Sequence, residues 1–580
     1  MTKYKWIYEE PTAAEKAAAA VMAAELDLSS PLALLLVKRG IKTAQEAHRF
    51  FHPQLTELHN PFLMKDMDRA VERLNEAIGM KEKILVFGDY DVDGCTAVTL
   101  VYKFLHQYYT NVDFFIPDRY EDGYGVTFDA IDRAEQMGVS LIIILDCGIK
   151  AIEEIAYAKQ KGIDFIVCDH HKPDDELPPA RAILDPKRAD ETYPYGDLCG
   201  CGIGFKLMQA FAMSNGFEFS RLIPLLELCA ISIAADIVPI MGENRILAFH
   251  GLRRLNASPS VGLKAIMKVC GLEGKEISMN DIIFRIAPRI NASGRIREGR
   301  ETIELLIERD FQKALNKANT INDYNEARKE IDKHVTEEAN LIARSIEHLD
   351  DQRAIVVYSE QWHKGVIGIV ASRLMEMYYR PTVVLAIDGD KATGSARSVA
   401  GFDVYSAVES CRDLLENFGG HTYAVGLTLK RDKLTEFQRR FELYVRQHIL
   451  PNQTIATVDI DVEIDFRDIN AKFQRDLKRF APFGPLNPKP CFYTRNVYDY
   501  GTSKIVGRDQ EHIKLELVDN KSGNVMSGIA FGQSGYARFI KSKHPFDICY
   551  HIEDNTYKRG ELQLQITDIH PQVASSAIGN

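Results

Sequence analysis

From residue 83 the chain alternates short, unbroken apolar runs with amphipathic stretches of helical period. The runs KILVFG, VDFFIP, SLIIILD and DFIVCD are separated by TAVTLVYKFLHQYY, by the segment around Phe128–Met137 and by Ala151–Lys161. Apolar runs without polar alternation are what strands need when helices cover both faces of a parallel sheet. A doubly wound parallel α/β domain is therefore expected over residues 81–305. Residues 1–80 are Ala-rich and punctuated by Pro11, Pro31, Pro53 and Pro61, which predicts an N-terminal helical arm. Asp310 to Leu349 contains neither Pro nor Gly. That predicts a long connecting helix within 306–350, on the order of 60 Å at about 1.5 Å per residue. A second α/β domain over 351–450 opens with the strand AIVVYS and takes in helix Val366–Tyr379, strand TVVLAI and a helix Val404–Asn417. Over 451–580 the short runs VDIDVEID, HIKLELVDN, VMSGIAF, FDICYHI and LQLQITDI, broken by Gly, Asn and Asp, predict a small OB-like β-barrel.

Composition narrows the class. With 580 residues the chain exceeds a single core, and 46% hydrophobic with 26% charged residues is a globular balance. No apolar run approaches the length of a membrane helix, and MTKYKWIYEEP has no basic region leading into an apolar stretch. Neither a membrane span nor a secretory signal is expected, and the cytoplasm is the expected location. The ten Cys are scattered, several in apolar contexts (Cys147, Cys168, Cys229, Cys411), and Cys199 and Cys201 are too close together for a zinc site. Reduced, buried thiols are expected. A net charge of −11 argues against bulk attraction to nucleic acid, so any such binding must be local. Bound cations would reverse the sign wherever the acids cluster.

Such a cluster is visible. The first apolar strand runs into GDYDVDG, with Asp89, Asp91 and Asp93 at alternate positions beyond its carboxyl end. In open α/β sheets that edge is where ligands bind. An isolated Asp-rich turn is more often a solvated loop. Here, however, a second strand ends in LDCGI, adding Asp146, and a third in VCDHHKP, adding Asp169, His170 and His171. Carboxylates packed this closely stay ionised only beside a cation. Asp and His donors without Cys suit Mn²⁺ or Mg²⁺, in numbers sufficient for two ions. Two such ions activate water against a phosphoryl group, so phosphate-ester hydrolysis is the natural chemistry. Asp236, in SIAADIVP, would by itself be a helix-end residue.

DYDVDG, LDCG, DHH and AADIVP resemble the four motifs of DHH phosphoesterases. The resemblance implies that Asp91, Asp146, His170 and Asp236 are metal ligands, with Asp89 and Asp93 beside them. It leaves open which acids of the triplet touch metal, and whether His171 is a ligand or the acid that assists the leaving group. Asp91, His170 and His171 are the implied catalytic residues. The family includes pyrophosphatases, phosphodiesterases of short oligonucleotides or cyclic dinucleotides, and the RecJ nucleases of single-stranded DNA. RYEDGYG (119–125), RINASGR (289–295), WHKGVIGIVASRL (362–374), GSARS (394–398), GGH (419–421) and APFGPLNPKP (481–490) are similar to RecJ nucleases, in the same order.

The implied activity is two-metal hydrolysis of single-stranded DNA from its 5′ end, releasing 5′-mononucleotides in recombination and repair. The strand is expected to thread between the two α/β domains, with the barrel holding its incoming part. Ser395 and Arg397, with Arg119 across the cleft, are candidates for a 5′-phosphate pocket, because small residues admit a phosphate and a guanidinium grips two of its oxygens. The competing reading of Arg397 is an ion pair with Asp403. Tyr124 is a candidate for stacking on a base. Arg289 and Arg295 belong to a segment, 285–300, with five Arg against one Glu, and are read as phosphate contacts. His421 is a candidate near the scissile linkage, and Gly-Gly-His could equally be a turn. Residues 467–495 carry seven Lys or Arg against two Asp, which suits a barrel gripping single strands. A catalytically inactive scaffold would be expected to have lost metal ligands. The chain is expected to be a monomer, to lack a further C-terminal partner-binding domain, and to receive its DNA from a single-strand-binding protein or a RecQ-type helicase.

Overall fold

The structure, a computed structural model, describes residues 4–117, 125–296, 299–346, 348–555 and 560–571. They fall into two units of interleaved sequence. One comprises His52–Lys329 with Ala481–Pro488, the other Met1–Phe51 with Glu330–Phe480 and Lys489–Asn580.

The first unit is built on five parallel strands in the spatial order Val112–Phe115, Lys83–Gly88, Val139–Leu145, Asp164–Cys168, Ala182–Leu184. Numbered along the chain this is 2-1-3-4-5, so the winding reverses between Lys83–Gly88 and Val139–Leu145. Alternate residues of each strand enter different cores. Ile84 and Val86 pack with Val98 and Val101 of helix Val92–Leu105 and with Phe205 of helix Gly200–Ser214. Leu85 and Phe87 pack with Ile131 and Ala134 of helix Phe128–Gln136 and with Ile155 and Ala158 of helix Ile152–Gln160. Both faces are buried, which is why the strands read as unbroken apolar runs. Helices Leu226–Ala235, Gly242–Ala257 and Val261–Val269 extend the first of these cores.

In the second unit, strands Ile355–Ser359 and Thr382–Asp388 are parallel, and Lys391–Arg397, Ala424–Lys430 and Leu415–His421 continue the sheet antiparallel. The helix expected over Val404–Asn417 stops at Glu409, and Leu415–His421 is a strand. The pair Gly419-Gly420 disfavours helix, and residues 415–421 instead complete a hairpin with Ala424–Lys430. The C-terminal barrel closes through Phe492–Asp499, His512–Asp519, Val525–Ala530, Leu562–Pro571 and Phe546–Asp554, back to the first. This is the OB-like topology, with its first strand at CFYTRNVYDY. The segment VDIDVEID lies outside the closed barrel: Thr457–Ile460 forms a separate two-stranded sheet with Lys5–Tyr8, and Val462–Glu463 adds an edge beside Phe492–Tyr493.

The expected N-terminal arm is divided between the units. Residues up to Phe51 belong to the second, whereas Met67–Gly79 lays Ala70, Val71 and Leu74 into the core beneath the parallel sheet. The long helix is Phe311–Arg344, about 50 Å at 1.5 Å per residue. Ala314, Ala318 and Ile321 pack in the first unit, and Val335, Ala339 and Ala343 with Ile355, Val357 and Leu374 in the second. Among the described residues no single helix is long and apolar enough to cross a membrane. All ten cysteines are buried free thiols.

Candidate metal centre

The acids gather at the carboxyl edge of the parallel sheet, where its winding reverses. Asp89 follows strand Lys83–Gly88, and Asp91 caps helix Val92–Leu105 by accepting the Gly94 N–H at 3.0 Å. Asp146 follows strand Val139–Leu145 with φ +61°, a conformation unusual for a residue with a side chain and frequent at functional sites. Helix Gly200–Ser214 begins directly against it, since a Cβ on Gly200 would lie 2.7 Å from the Asp146 Cβ. His170 Nε2 lies 3.1 Å from Asp146 Oδ1, 3.6 Å from Asp236 Oδ2 and 3.8 Å from Asp93 Oδ2.

Donor atoms fall within 4.8 Å of one another in three groups: Asp89, Asp91 and Asp146; Asp146, His170 and His171; and Asp93, His170 and Asp236. Asp146 and His170 each belong to two groups, so the three form one continuous cluster with Asp146 central. Burial, then the charge of Asp93, raises the Asp91 pKa; burial, then Asp93 and Asp91, raises Asp146 well above the carboxylate range and Asp236 to about 8. Burial lowers His170 despite its acidic neighbours, favouring the neutral imidazole that binds metals. His170 Nδ1 and Asp236 Oδ2 are buried with no hydrogen-bond partner among the described residues. Mutually repelling oxygen donors, a neutral imidazole and unpaired lone pairs together fit a pair of Mn²⁺- or Mg²⁺-type cations.

Asp93 is placed differently from its neighbours. Its carboxylate accepts the N–H groups of Gly200 (2.6 Å) and Cys201 (2.7 Å) and the Ser232 hydroxyl (2.6 Å), and it is 1% exposed. It holds the N-terminus of helix Gly200–Ser214 against the site, and only its Oδ2 edge faces His170. Asp169 acts on the His pair in a similar way. Its Oδ1 accepts the His170 and His171 N–H groups at 2.8 and 3.1 Å and lies 2.8 Å from His171 Nδ1, while Oδ2 accepts from Ile149 N. Burial opposes charge on His171, but the Asp169 hydrogen bond and the surrounding carboxylates outweigh it and raise the imidazole to about 9. Asp169 thus favours the protonated form of His171.

Asp236 ends helix Leu226–Ala235, and the turn after it, with Ile237 at φ +57°, is braced by the distant segment Ala481–Pro488. Ile240 N donates to Pro485 O at 2.9 Å, and Arg245 donates to the carbonyls of Ala481 and Pro482. A Cβ on Gly484 would come within 2.5 Å of Ile240. Sequence reasoning missed this brace, as it missed Gly200 and Ser232, because the partners lie far apart in the chain.

Of the residues expected to contact DNA, Arg119 and Tyr124 lie outside the described residues, as does the side chain of Arg295. Arg289 is engaged internally: it donates to Asn322 Oδ1 and the Arg285 carbonyl and sits 3.9 Å from Glu326. Arg285 is likewise tied to the Cys270 carbonyl and Asp281, and Arg300 to Glu304, so these three described arginines are engaged within the fold.

Ser395 and Arg397 lie on one strand of the second unit. Arg397 Nη1 donates to Ser395 Oγ at 2.7 Å and to the Ala396 carbonyl at 2.8 Å, and makes no ion pair among the described residues. Asp403, its competing partner on sequence grounds, instead caps helix Val404–Glu409. Burial without a counter-charge lowers the Arg397 pKa, which marks a cation suited to an anion. The first turn of helix Ile367–Tyr378 abuts it, a Cβ on Gly368 falling 3.0 Å from Arg397 Nη2 and 3.2 Å from Ser395 Oγ. Arg397 pairs with Ala424 and Ala424 with His421, so Arg397 and His421 share one face about 10 Å apart. Beside Ser395 in the same register, Gly426 and Gly419 leave that face open.

Residues 83–233 match the DHH family, N-terminal domain, 351–447 the DHHA1 domain, and 460–568 the RecJ OB domain. The single-stranded-DNA-specific exonuclease RecJ of Salmonella typhimurium is 31% identical over 564 residues, spanning 94% of this chain and 96% of its own length. The chain belongs to the RecJ family. The Bacillus subtilis exonuclease RecJ is 37% identical over 527 residues, or 90% of this chain, which spans 65% of that RecJ's length. The structure also resembles the crystal structure of RecJ from Thermus thermophilus in complex with Mn²⁺. The TM-score is 0.83 at 25% identity, over 98% of this chain and 80% of that RecJ.

Proposed function

We propose that this RecJ-family chain is a single-stranded-DNA-specific exonuclease that removes 5′-mononucleotides by metal-dependent hydrolysis. The observation that carries the reading is the continuous Asp and His cluster at the winding reversal, in a chain similar over nearly its whole length to RecJ exonucleases. Asp89, Asp91, Asp146, His170 and Asp236 would hold the ions, with Asp93 reaching them through Oδ2 while it anchors the neighbouring helix. Bound Mn²⁺ or Mg²⁺ supplies an activated water and offsets charge on the phosphoryl group. His171, kept protonated by Asp169, delivers a proton to the departing 3′ oxygen. Arg397 and Ser395 take the 5′-phosphate, and the barrel holds the following strand.

Delivery of the strand by a single-strand-binding protein or a RecQ-type helicase, and action as a cytoplasmic monomer, extend this proposal; the asymmetric multidomain plan supports the monomer. A time course with Mn²⁺ on single strands labelled at the 5′ or the 3′ end, beside duplex and a dinucleotide, tests the main reading. Immediate release of the 5′ label as mononucleotide, with duplex spared, is expected. Cleavage of the dinucleotide alone would replace it with a small-substrate phosphodiesterase.

A further inference from the structure

Ala182–Leu184 is the last strand of the parallel sheet and runs beside Asp164–Cys168, with Leu184 level with Cys168. The residues after it therefore reach the same edge as Asp169, His170 and His171, and the Asp169 N–H donates to the Leu184 carbonyl at 3.1 Å. This loop, Asp185-Pro186-Lys187-Arg188, is fixed from both sides. Asp185 is fully buried and its Oδ1 accepts the Lys187 N–H at 2.7 Å. The Pro186 ring sets its own φ. Arg188 is buried and donates to Asp190, Asp66 and the Ile183 carbonyl at 3.0, 2.9 and 2.8 Å.

The two adjacent cations are thus used differently. Arg188 is consumed by its partners. The Lys187 side chain is exposed and makes no hydrogen bond or ion pair among the described residues. It is the third residue beyond Leu184 on this loop, at the sheet edge that carries Asp169, His170 and His171, and its charge acts on Asp185, His170 and Asp236. An exposed, unpaired ammonium on a loop fixed at the edge of the proposed phosphoryl-transfer site is placed to meet a phosphate oxygen.

We propose that Lys187 is a catalytic residue whose ammonium contacts a non-bridging oxygen of the scissile phosphate on the His170 and Asp236 side of the site; the inference rests on the exonuclease reading. When water's oxygen bonds to phosphorus, the bond from phosphorus to the 3′ oxygen breaks and that oxygen takes a proton, leaving a new 5′-phosphate on the shortened strand. Lys187 forms and breaks no bond. It stabilises the charge that builds on the non-bridging oxygens, where a positioned donor is worth about 10²–10³ in rate.

The test uses the full chain, with Lys187→Met and Lys187→Arg, on 5′-phosphorylated single strands with Mn²⁺, beside calorimetric titration of Mn²⁺ alone. Lys187→Met should lower kcat about 100-fold with KM and Mn²⁺ affinity little changed, and Lys187→Arg should recover much of the loss. In Lys187→Met, the rate penalty for replacing one non-bridging oxygen by sulfur should also shrink. A kcat near that of the unsubstituted chain overturns the proposal. So does a loss of rate matched by an equal change in Mn²⁺ affinity, which would make Lys187 only a balance for the acids. Failure of the unsubstituted chain to release the 5′ label is a separate result, read before any variant, and it removes the exonuclease reading and the proposal with it.

Discussion

Neutralising Asp236 and neutralising Asp93 should move the stability of the metal-free protein in opposite directions. The Asp236 carboxyl is pushed from 3.8 to about 8, by burial first and by Asp93 and Asp91 next. By linkage, a carboxyl so displaced costs the fold about 4 kcal/mol at neutral pH. Part of that repulsion is shared with Asp91 and Asp146, so Asp236→Asn should recover about 1–3 kcal/mol in EDTA. Because the folded pKa is the higher one, the cost is absent below 3.8, grows as pH rises and is complete above about 8. The gain from Asp236→Asn should follow the same course. Asp93 instead accepts three short hydrogen bonds, two of them from the first N–H groups of a helix. Asparagine can keep only part of this set and leaves a buried donor facing its own amide, a loss of about 3–5 kcal/mol. Thermal unfolding of both variants and the parent, in EDTA across that pH range, separates the cases. Equal destabilisation by both substitutions at neutral pH would refute the division of the acids into repelling metal ligands and one structural anchor.

Arg397→Ala should reduce the preference for a 5′-phosphate over a 5′-hydroxyl about 10- to 100-fold, the worth of roughly 1.5–3 kcal/mol in charged hydrogen bonds, measured as a ratio of kcat/KM; an unchanged ratio would remove Arg397 from the pocket. Gly200→Ala puts a methyl 2.7 Å from the Asp146 Cβ, so activity should fall at least about 100-fold while circular dichroism stays near native. Full activity would mean the helix yields without moving Asp146. Asp169→Asn removes the support that raises His171 to about 9, and the alkaline limb of kcat/KM should move down toward the ordinary 6.5. A limb that does not move would exclude His171 as the proton donor.

Much of the parallel-sheet unit was legible in the sequence because its signals are local. An apolar run followed at once by an acid states both a buried strand and a group at its carboxyl edge, and three such runs converge in any parallel sheet. What separates Asp93 from Asp89 and Asp91 is not local. Spaced at alternate positions, all three read alike, and the donors that claim Asp93 lie more than 100 residues on, at Gly200, Cys201 and Ser232. The sequence likewise does not show what engages Arg285 and Arg289, since Asn322, Glu326 and Cys270 lie elsewhere in the chain. The helix expected over Val404–Asn417 overran the first three residues of the strand Leu415–His421. Gly419 and Gly420 decide against it only once the hairpin partner is known.

The brace beneath the Asp236 turn sets the order in which the first unit can be completed. Every candidate metal ligand leaves the ribosome before Lys329, but Ala481–Pro488 emerges about 160 residues later. At roughly 5–20 residues per second that is a wait of about 10–30 s. During that time the second α/β domain is made while the catalytic unit still lacks its last piece. A chain shortened after residue 450 would keep the candidate metal ligands but lack this brace.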